Sequence, residues 1–227
     1  WPALAFVLAF AGWVVVSNVA VSWLFGDPSL VEEATWRLPS AAVQLGIVVV
    51  ALRYEGVGYR ELGLERRLVA PALVATGAVV VVVNVAVAGL GMAAGTTVSF
   101  GVMAYYLTPP FDYPVDGLVA SAATLYVLTG PIEELAFRGY LKNKVTAGVD
   151  AGSARVRTTV GIVAAALAFA LLHVPVYLLV RGEGVGALVG TLALLTATGL
   201  LYGAMYAATR NLYLVMFLHG IGNLWPL

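Results

Sequence analysis

Three charged side chains interrupt a long apolar run in the stretch Pro131-Ile132-Glu133-Glu134-Leu135-Ala136-Phe137-Arg138. A charge at the centre of a bilayer costs roughly 2.5–3.5 kcal/mol, so buried charges need partners or a function that retains them. On a helix, Glu134 and Arg138 lie one above the other at i,i+4, whereas Glu133 is rotated by about 100°. The spacing predicts a Glu134–Arg138 ion pair and a Glu133 carboxylate that is free for chemistry. A purely structural network of the three charges fits this stretch equally well.

The two histidines of the chain, His173 and His219, both lie in apolar segments rather than in polar loops. Asn223 follows His219 by four residues, so a helix places both on one face. These residues and Glu133 lie at overlapping predicted depths on three predicted helices. A single buried histidine is most often a packing residue. A carboxylate, two imidazoles and an amide together in an apolar body are a candidate site.

The chemistry that these groups support is hydrolysis. A buried carboxylate can take a proton from water as a general base, and an imidazole can share that water or pass the proton to a leaving amine. A second imidazole and an amide can donate hydrogen bonds to the oxyanion of a tetrahedral intermediate. These are the parts of a peptidase that uses no covalent nucleophile.

The composition is that of a membrane protein. The 227 residues are 61% hydrophobic and 11% charged, with zero net charge, whereas about 25% charged residues is typical of soluble domains. No basic cluster with interleaved aromatic residues indicates nucleic-acid binding. The sequence has no cysteine, which excludes a disulfide framework and a thiol nucleophile within it.

Seven apolar segments are long enough, or nearly long enough, to cross a bilayer. Since runs of this length satisfy their backbone groups in lipid only as helices, we predict an all-α polytopic transmembrane bundle of seven to eight helices in a single domain, 1–227. Residues 93–116 read as an interfacial loop or half-helix. The chain begins at Trp1 rather than at Met, so a further terminal helix fits the pattern. The predicted spans are 2–25, 38–53, 69–92, 117–141, 157–180, 184–208 and 211–227.

Glycines at four-residue spacing recur in the last third of the chain. Two such sets are Gly182/Gly186/Gly190 and Gly199/Gly203. This spacing is typical of helices that approach one another closely in membranes.

The cationic residues predict the orientation. Nine of the twelve Lys and Arg residues lie in three predicted loops, 53–68, 142–157 and 209–211, and a tenth, Arg138, precedes the second of them. The positive-inside rule places these loops in the cytoplasm, together with the N-terminus, and makes the chain a multi-pass protein of the cytoplasmic membrane. At 1.5 Å per residue, Glu133 lies about 16 Å inward from Lys144. We therefore expect the site to open toward the cytoplasmic side.

Three short patterns, in this order on separate predicted helices, resemble those of the CPBP intramembrane proteases. This family includes type II CAAX prenyl endopeptidases and bacteriocin-processing or immunity proteins. The resemblance covers about residues 117–227, the motif-bearing core. The patterns are Glu133-Glu134-x-x-x-Arg138, Phe169-x-x-x-His173 and His219-x-x-x-Asn223.

The resemblance implies a role for each matching residue. Glu133 and His173 would activate the attacking water, and His219 and Asn223 would form the oxyanion site. The ion pair predicted above would have a supporting role. The family fold is an all-helical bundle, usually of eight membrane helices, with a polar cavity that faces the cytoplasm. The implied substrate is a membrane-associated peptide or protein, of which a prenylated CAAX tail is one example.

Members of the family are also described as metalloproteases. Glu133, His173 and His219 would make a three-ligand zinc site with an open position. Asn223, in place of a further hard ligand, favours a reaction that requires no cofactor. The sequence contains neither the HExxH pattern of zinc peptidases nor a Gly-x-Ser-x-Gly elbow.

Two other classes of function fit the same residues. Buried Glu, His and Arg side chains also line transport pathways and proton relays. Against this reading, the charges cluster at one depth, and no inverted repeat is visible. A non-enzymatic bacteriocin-immunity scaffold on the same fold is the other alternative, because a fold does not determine a function.

Overall fold

The computed structural model describes residues 2–25, 30–95, 128–150, 152–182 and 184–224. All regular elements in these ranges are helices, in agreement with the predicted all-α class. Five of them are long and apolar enough to cross a membrane. The predicted count of seven to eight is not confirmed, because most of 93–127 lies outside the described residues and the last helix is shorter than the five.

The helices are numbered α1 to α7 along the described ranges. α4 consists of three continuous segments, the middle one π-helical, and α5 continues through Pro175 into a π-helical last turn. A short 3-10 turn, Arg66–Leu68, leads into α3. The bounds are α1 Pro2–Phe25, α2 Leu30–Tyr54, α3 Val69–Ala93, α4 Gly130–Glu134 with Leu135–Lys142 and Asn143–Gly148, α5 Ala154–Pro175 with Val176–Val180, α6 Val185–Thr209 and α7 Leu212–Leu224.

α4 carries charged residues and is nevertheless largely enclosed. Its residues from Ala136 to Lys142 are all buried. α1 lies antiparallel against it, with the ring of Phe6 4.4 Å from that of Tyr140 and the ring of Phe10 5.8 Å from that of Phe137. The start of α1 therefore lies beside the C-terminal part of α4, and the end of α1 extends past the N-terminal part.

Glycines bring α5 and α6 together, as one of the two spacing patterns predicts. A Cβ on Gly199 would lie 3.0 Å from the Cβ of Ala166, and one on Gly203 would lie 2.8 Å from Ile162. Side chains at these positions would force the two helices apart. The other predicted set makes no such contact, because a Cβ on Gly186 or Gly190 would meet open space.

The three basic loops meet at one end of the bundle, called the basic end below. Gly63 has φ +74°, and a side chain there would collide with the backbone carbonyl of Arg210. Lys144 Nζ lies 2.5 Å from Glu55 Oε2, and this hydrogen-bonded carboxylate raises the pKa of Lys144. Arg157, Glu55, Lys144 and Arg210 line a common cavity of about 500 Å³. The three loops therefore share one end of the bundle, and the side of the membrane that this end faces stays a prediction.

Candidate functional site

Glu134 and Arg138 form a buried ion pair, as their i,i+4 spacing predicts. Arg138 Nη1 donates to Glu134 Oε1 at 2.9 Å, and both side chains are almost completely enclosed. Arg138 Nη2 also donates to the carbonyl of Gly199 at 3.3 Å. The guanidinium lies 5.1 Å from the ring centre of Phe169 and 5.7 Å from that of Tyr202. A carboxylate, a carbonyl and two ring faces thus compensate this charge inside the bundle.

His219 lies between the two adjacent carboxylates of α4. Its Nδ1 is 2.7 Å from Glu134 Oε1, and its Nε2 is 3.5 Å from Glu133 Oε2. Since a carboxylate paired with Arg138 only accepts hydrogen bonds, Nδ1 carries the proton and Glu134 fixes the orientation of the ring. Nε2 is thereby directed toward Glu133. Glu134 therefore orients the imidazole as well as pairing with the arginine.

A close approach of α4 and α7 sets this contact. A Cβ on Gly130 would lie 3.0 Å from the backbone nitrogen of Gly220, immediately after His219. At its other end, α7 is attached to the loop before α3. Asn211 Nδ2 donates to the carbonyl of Leu68 at 2.9 Å, and the Tyr213 hydroxyl donates to that of Leu64 at 3.3 Å. These contacts fix the position of His219 relative to α4.

Phe169 brings the two histidines into one region. Its buried ring lies 4.8 Å from the ring of His173 and 5.8 Å from that of His219, with both imidazoles in edge-on contact. His173 Nδ1 is 2.8 Å from the carbonyl of Phe169. Because a carbonyl only accepts, Nδ1 donates this bond, and the lone pair of a neutral His173 ring is on Nε2. Phe169, rather than a direct bond, connects the two imidazoles.

Asn223 is in a different situation from the other predicted site residues. It lies one helical turn after His219 on α7, its side chain is exposed, and it makes no hydrogen bond within the described part of the chain. The structure places it on the helix of His219 and does not bring it into contact with Glu133 or His173. Its predicted part in the oxyanion site therefore stays a prediction.

The predicted zinc set does not converge on one point. Across the described ranges, no three His, Asp or Glu side chains are grouped closely enough to hold a metal ion. His173 and His219 each donate Nδ1–H to a protein acceptor, as metal-ligating histidines also do, so it is the spacing of the side chains that does not fit. The residues present do not fit a three-ligand site, and the steps below involve no metal.

Sequence reasoning missed Tyr202 of α6. Its ring is 5.9 Å from that of His219, and its face is near the Arg138 guanidinium. Its hydroxyl lies beside Gly222, where a Cβ would be 3.4 Å away. Tyr202 encloses the polar cluster on the side of α6. Its position three residues after Gly199, on the face that packs closely, was the available signal.

A polar cavity of about 90 Å³ lies beside Glu133 and has room for several water molecules. Its other lining residues include Ser17 and Asn18 of α1 and Ser40 and Gln44 of α2. This wall lies in the parts of α1 and α2 that are remote from the basic end. The expected opening of the site toward the cytoplasm is therefore not confirmed. The predicted opening was based only on the depth of Glu133 along α4. The sequence did not show which neighbouring helices contribute polar side chains beside it.

The comparison with protein families concerns the second half of the chain. Residues 116–225 match the family model described as type II CAAX prenyl endopeptidase Rce1-like. The match contains all six predicted site residues and leaves α1 to α3 outside. No curated protein and no solved structure matches this chain.

Proposed function

We propose that this chain, whose residues 116–225 match the Rce1-like family model of type II CAAX prenyl endopeptidases, is an intramembrane endopeptidase that hydrolyses a membrane-associated peptide. The observation that carries this proposal is the position of Glu133. Its carboxylate lines a cavity large enough for water and lies 3.5 Å from an imidazole that a second carboxylate holds in place. A base that can carry the proton, a water space and an oriented imidazole are what hydrolysis without a covalent intermediate requires.

In the proposed reaction, Glu133 removes a proton from a cavity water as the water oxygen attacks the scissile carbonyl carbon. The same proton then passes to the leaving amine nitrogen when the C–N bond breaks, which yields a carboxylic acid and an amine; transfer of the acid proton to the amine gives the carboxylate and ammonium products. His173 accepts a hydrogen bond from the attacking water through Nε2, because its Nδ1–H is committed to the Phe169 carbonyl. These steps need no group beyond the side chains and the water.

The oxyanion would be stabilised from α7. A doubly protonated His219 donates to Glu134 through Nδ1 and offers Nε2–H to the developing oxyanion once Glu133 has become neutral. Asn223 is the second proposed donor and must turn inward when substrate binds. Glu134 and Arg138 act indirectly, since they fix the His219 ring.

The proposed substrate is a peptide held at the lipid bilayer, and a prenylated CAAX tail is the candidate that the family description suggests. We place the protein in the cytoplasmic membrane with its N-terminus and basic end in the cytoplasm. The shared position of the three basic loops supports this orientation. Metal-free activation of water is part of the proposal, because no three His, Asp or Glu side chains in the described ranges are grouped closely enough to hold a metal ion.

The test uses purified protein in lipid nanodiscs with two fluorogenic peptides, one farnesylated at a C-terminal CAAX sequence and one spanning the membrane without a lipid. Glu133→Gln should lower the cleavage rate by about 10²–10⁴-fold, the usual contribution of a general base. Glu61→Gln, at the basic end, serves as the control and should leave the rate unchanged. A Glu133→Gln protein with wild-type rates would refute the assignment.

Incubation with a metal chelator tests the metal-free mechanism separately. We expect the cleavage rate to be unchanged after chelation. A loss that added zinc restores would show that the enzyme needs a metal. Proton flux through the wild-type protein without cleavage of either peptide would favour the proton-relay alternative.

A further inference from the structure

The wall of the Glu133 cavity that comes from α1 and α2 lies entirely outside the matched residues 116–225. Besides Arg37 of α2, this wall contains four polar, uncharged residues, which lie in largely apolar stretches of the two helices. They are Ser17 and Asn18 on α1 and Ser40 and Gln44 on α2. Polar side chains that face a cavity within a membrane span usually mark a pathway or a site.

The two amide side chains have unused hydrogen-bonding capacity. Asn18 Nδ2 donates to the carbonyl of Val14 at 2.8 Å, and Gln44 Nε2 donates to Ser40 Oγ at 3.3 Å. An amide side chain has two N–H donors and one acceptor oxygen. Each of these amides therefore retains one donor and its carbonyl oxygen, since neither makes another bond within the described ranges. Ser40 is further engaged, because Trp13 Nε1 donates to its hydroxyl at 3.2 Å.

A peptide that enters the membrane as a helix satisfies all of its own backbone groups. Attack by water on a backbone carbonyl requires that the helix open locally, which leaves N–H and C=O groups without partners in a region where water is scarce. A side chain that both donates and accepts can replace these lost bonds. Amides are therefore suited to a peptide backbone in a way that carboxylates and cations are not.

We propose that Asn18 and Gln44 bind the opened backbone of the peptide substrate beside Glu133. This inference rests on the proposed function and names the ligand of the cavity wall: an unwound peptide segment, recognised through its backbone rather than through particular side chains. The first half of the chain thus supplies the substrate-binding wall, and the second half supplies the reacting groups.

The experiment compares two membrane-spanning peptides of equal length, one a continuous helix and one with Gly-Gly beside the cleaved bond. Asn18→Leu and Gln44→Met should each lower kcat/KM on the helical peptide by about tenfold, the effect of one lost hydrogen bond. On the peptide with Gly-Gly, which opens at less cost, the loss should stay below about twofold.

Asn84 in α3 provides a matched control. Its Nδ2 donates to the carbonyl of Val80 at 2.8 Å, the same local bond that Asn18 makes to Val14. Asn84 is not among the residues that line the Glu133 cavity. Asn84→Leu should therefore leave kcat/KM unchanged on both peptides.

Two results would overturn the inference. Equal losses on the helical and Gly-Gly peptides would indicate a structural effect, and unchanged rates would show that neither amide contacts the substrate. Gel-filtration profiles of the three variants establish that each one folds. If the wild-type protein cleaves neither peptide, the proposed function itself is wrong, and this inference falls with it.

Discussion

Glu134 makes two contacts, and only one of them could be predicted from the sequence. The i,i+4 spacing predicts the bond to Arg138, because it depends on the geometry of one helix. The bond to His219 joins residues that are 85 positions apart. Nothing in the spacing of a single sequence determines which helices become neighbours, so the orienting role of Glu134 emerges only from the fold.

Removing Glu134 should destabilise the protein strongly. Glu134→Leu leaves Arg138 buried without its carboxylate, and breaking a buried pair costs about 3–5 kcal/mol. The double variant Glu134→Leu/Arg138→Met should recover most of this loss, because a buried pair that apolar side chains replace is often neutral in stability. Denaturant unfolding in detergent micelles measures both effects.

A solvent-exposed ion pair serves as the control for the Glu134 and Arg138 variants. Arg67 Nη2 lies 3.0 Å from Glu65 Oε1, with the arginine side chain largely in contact with solvent. Glu65→Gln should change stability by less than about 1 kcal/mol. Failure of the double variant to regain stability would show that the His219 bond, rather than the arginine, dominates the contribution of Glu134.

Asn223 allows a test that separates catalysis from stability. Its exposed side chain makes no hydrogen bond within the described ranges, so Asn223→Ala should unfold at the same denaturant concentration as the wild-type protein. If it donates to the oxyanion, kcat should fall by about 10²–10³-fold with little change in KM. An unchanged kcat would assign the oxyanion to His219 alone.

At the scale of the elements, long apolar runs predicted most helices with correct positions, since lipid leaves the backbone few alternatives. The contacts between helices were harder to predict. Gly199 and Gly203 mediate a close approach, whereas Gly186 and Gly190, with the same spacing, do not. The spacing shows that one face of a helix consists of small residues, but it does not show whether another helix packs against that face.

Gly130 is the position where packing should control chemistry. Gly130→Val places methyl groups against the backbone of Gly220, and such overpacking costs about 1–3 kcal/mol or moves α7 outward. Since His219 is adjacent, a displacement of about 1 Å should lower kcat by about 10²-fold. Gly77→Val in α3, where a Cβ would meet open space, should retain wild-type activity. If Gly130→Val and Gly77→Val had equal activities, the packing of α7 against α4 would not control catalysis.

For the whole molecule, the distribution of charged residues predicted which loops lie together, which hydropathy alone did not. The distribution of Lys and Arg predicted that three distant loops share one side, and the contacts of Gly63 with Arg210 and of Lys144 with Glu55 join them at one end. A polar cavity at the site was expected, but its wall from α1 and α2 was not predicted, because isolated residues such as Asn18 and Gln44 give no sequence signal until helix packing directs them to a common space.

The absence of cysteine from the sequence permits a direct test of sidedness. Thr158→Cys places a thiol in the basic-end cavity, and Asn18→Cys places one in the Glu133 cavity. If the basic end is cytoplasmic, an impermeant thiol reagent should label Thr158→Cys in inverted vesicles and not in intact spheroplasts. Asn18→Cys should resist the reagent in inverted vesicles, because α1 places it beyond Glu133 from the basic end. Labelling of Asn18→Cys in inverted vesicles would show instead that water reaches the Glu133 cavity from the cytoplasm.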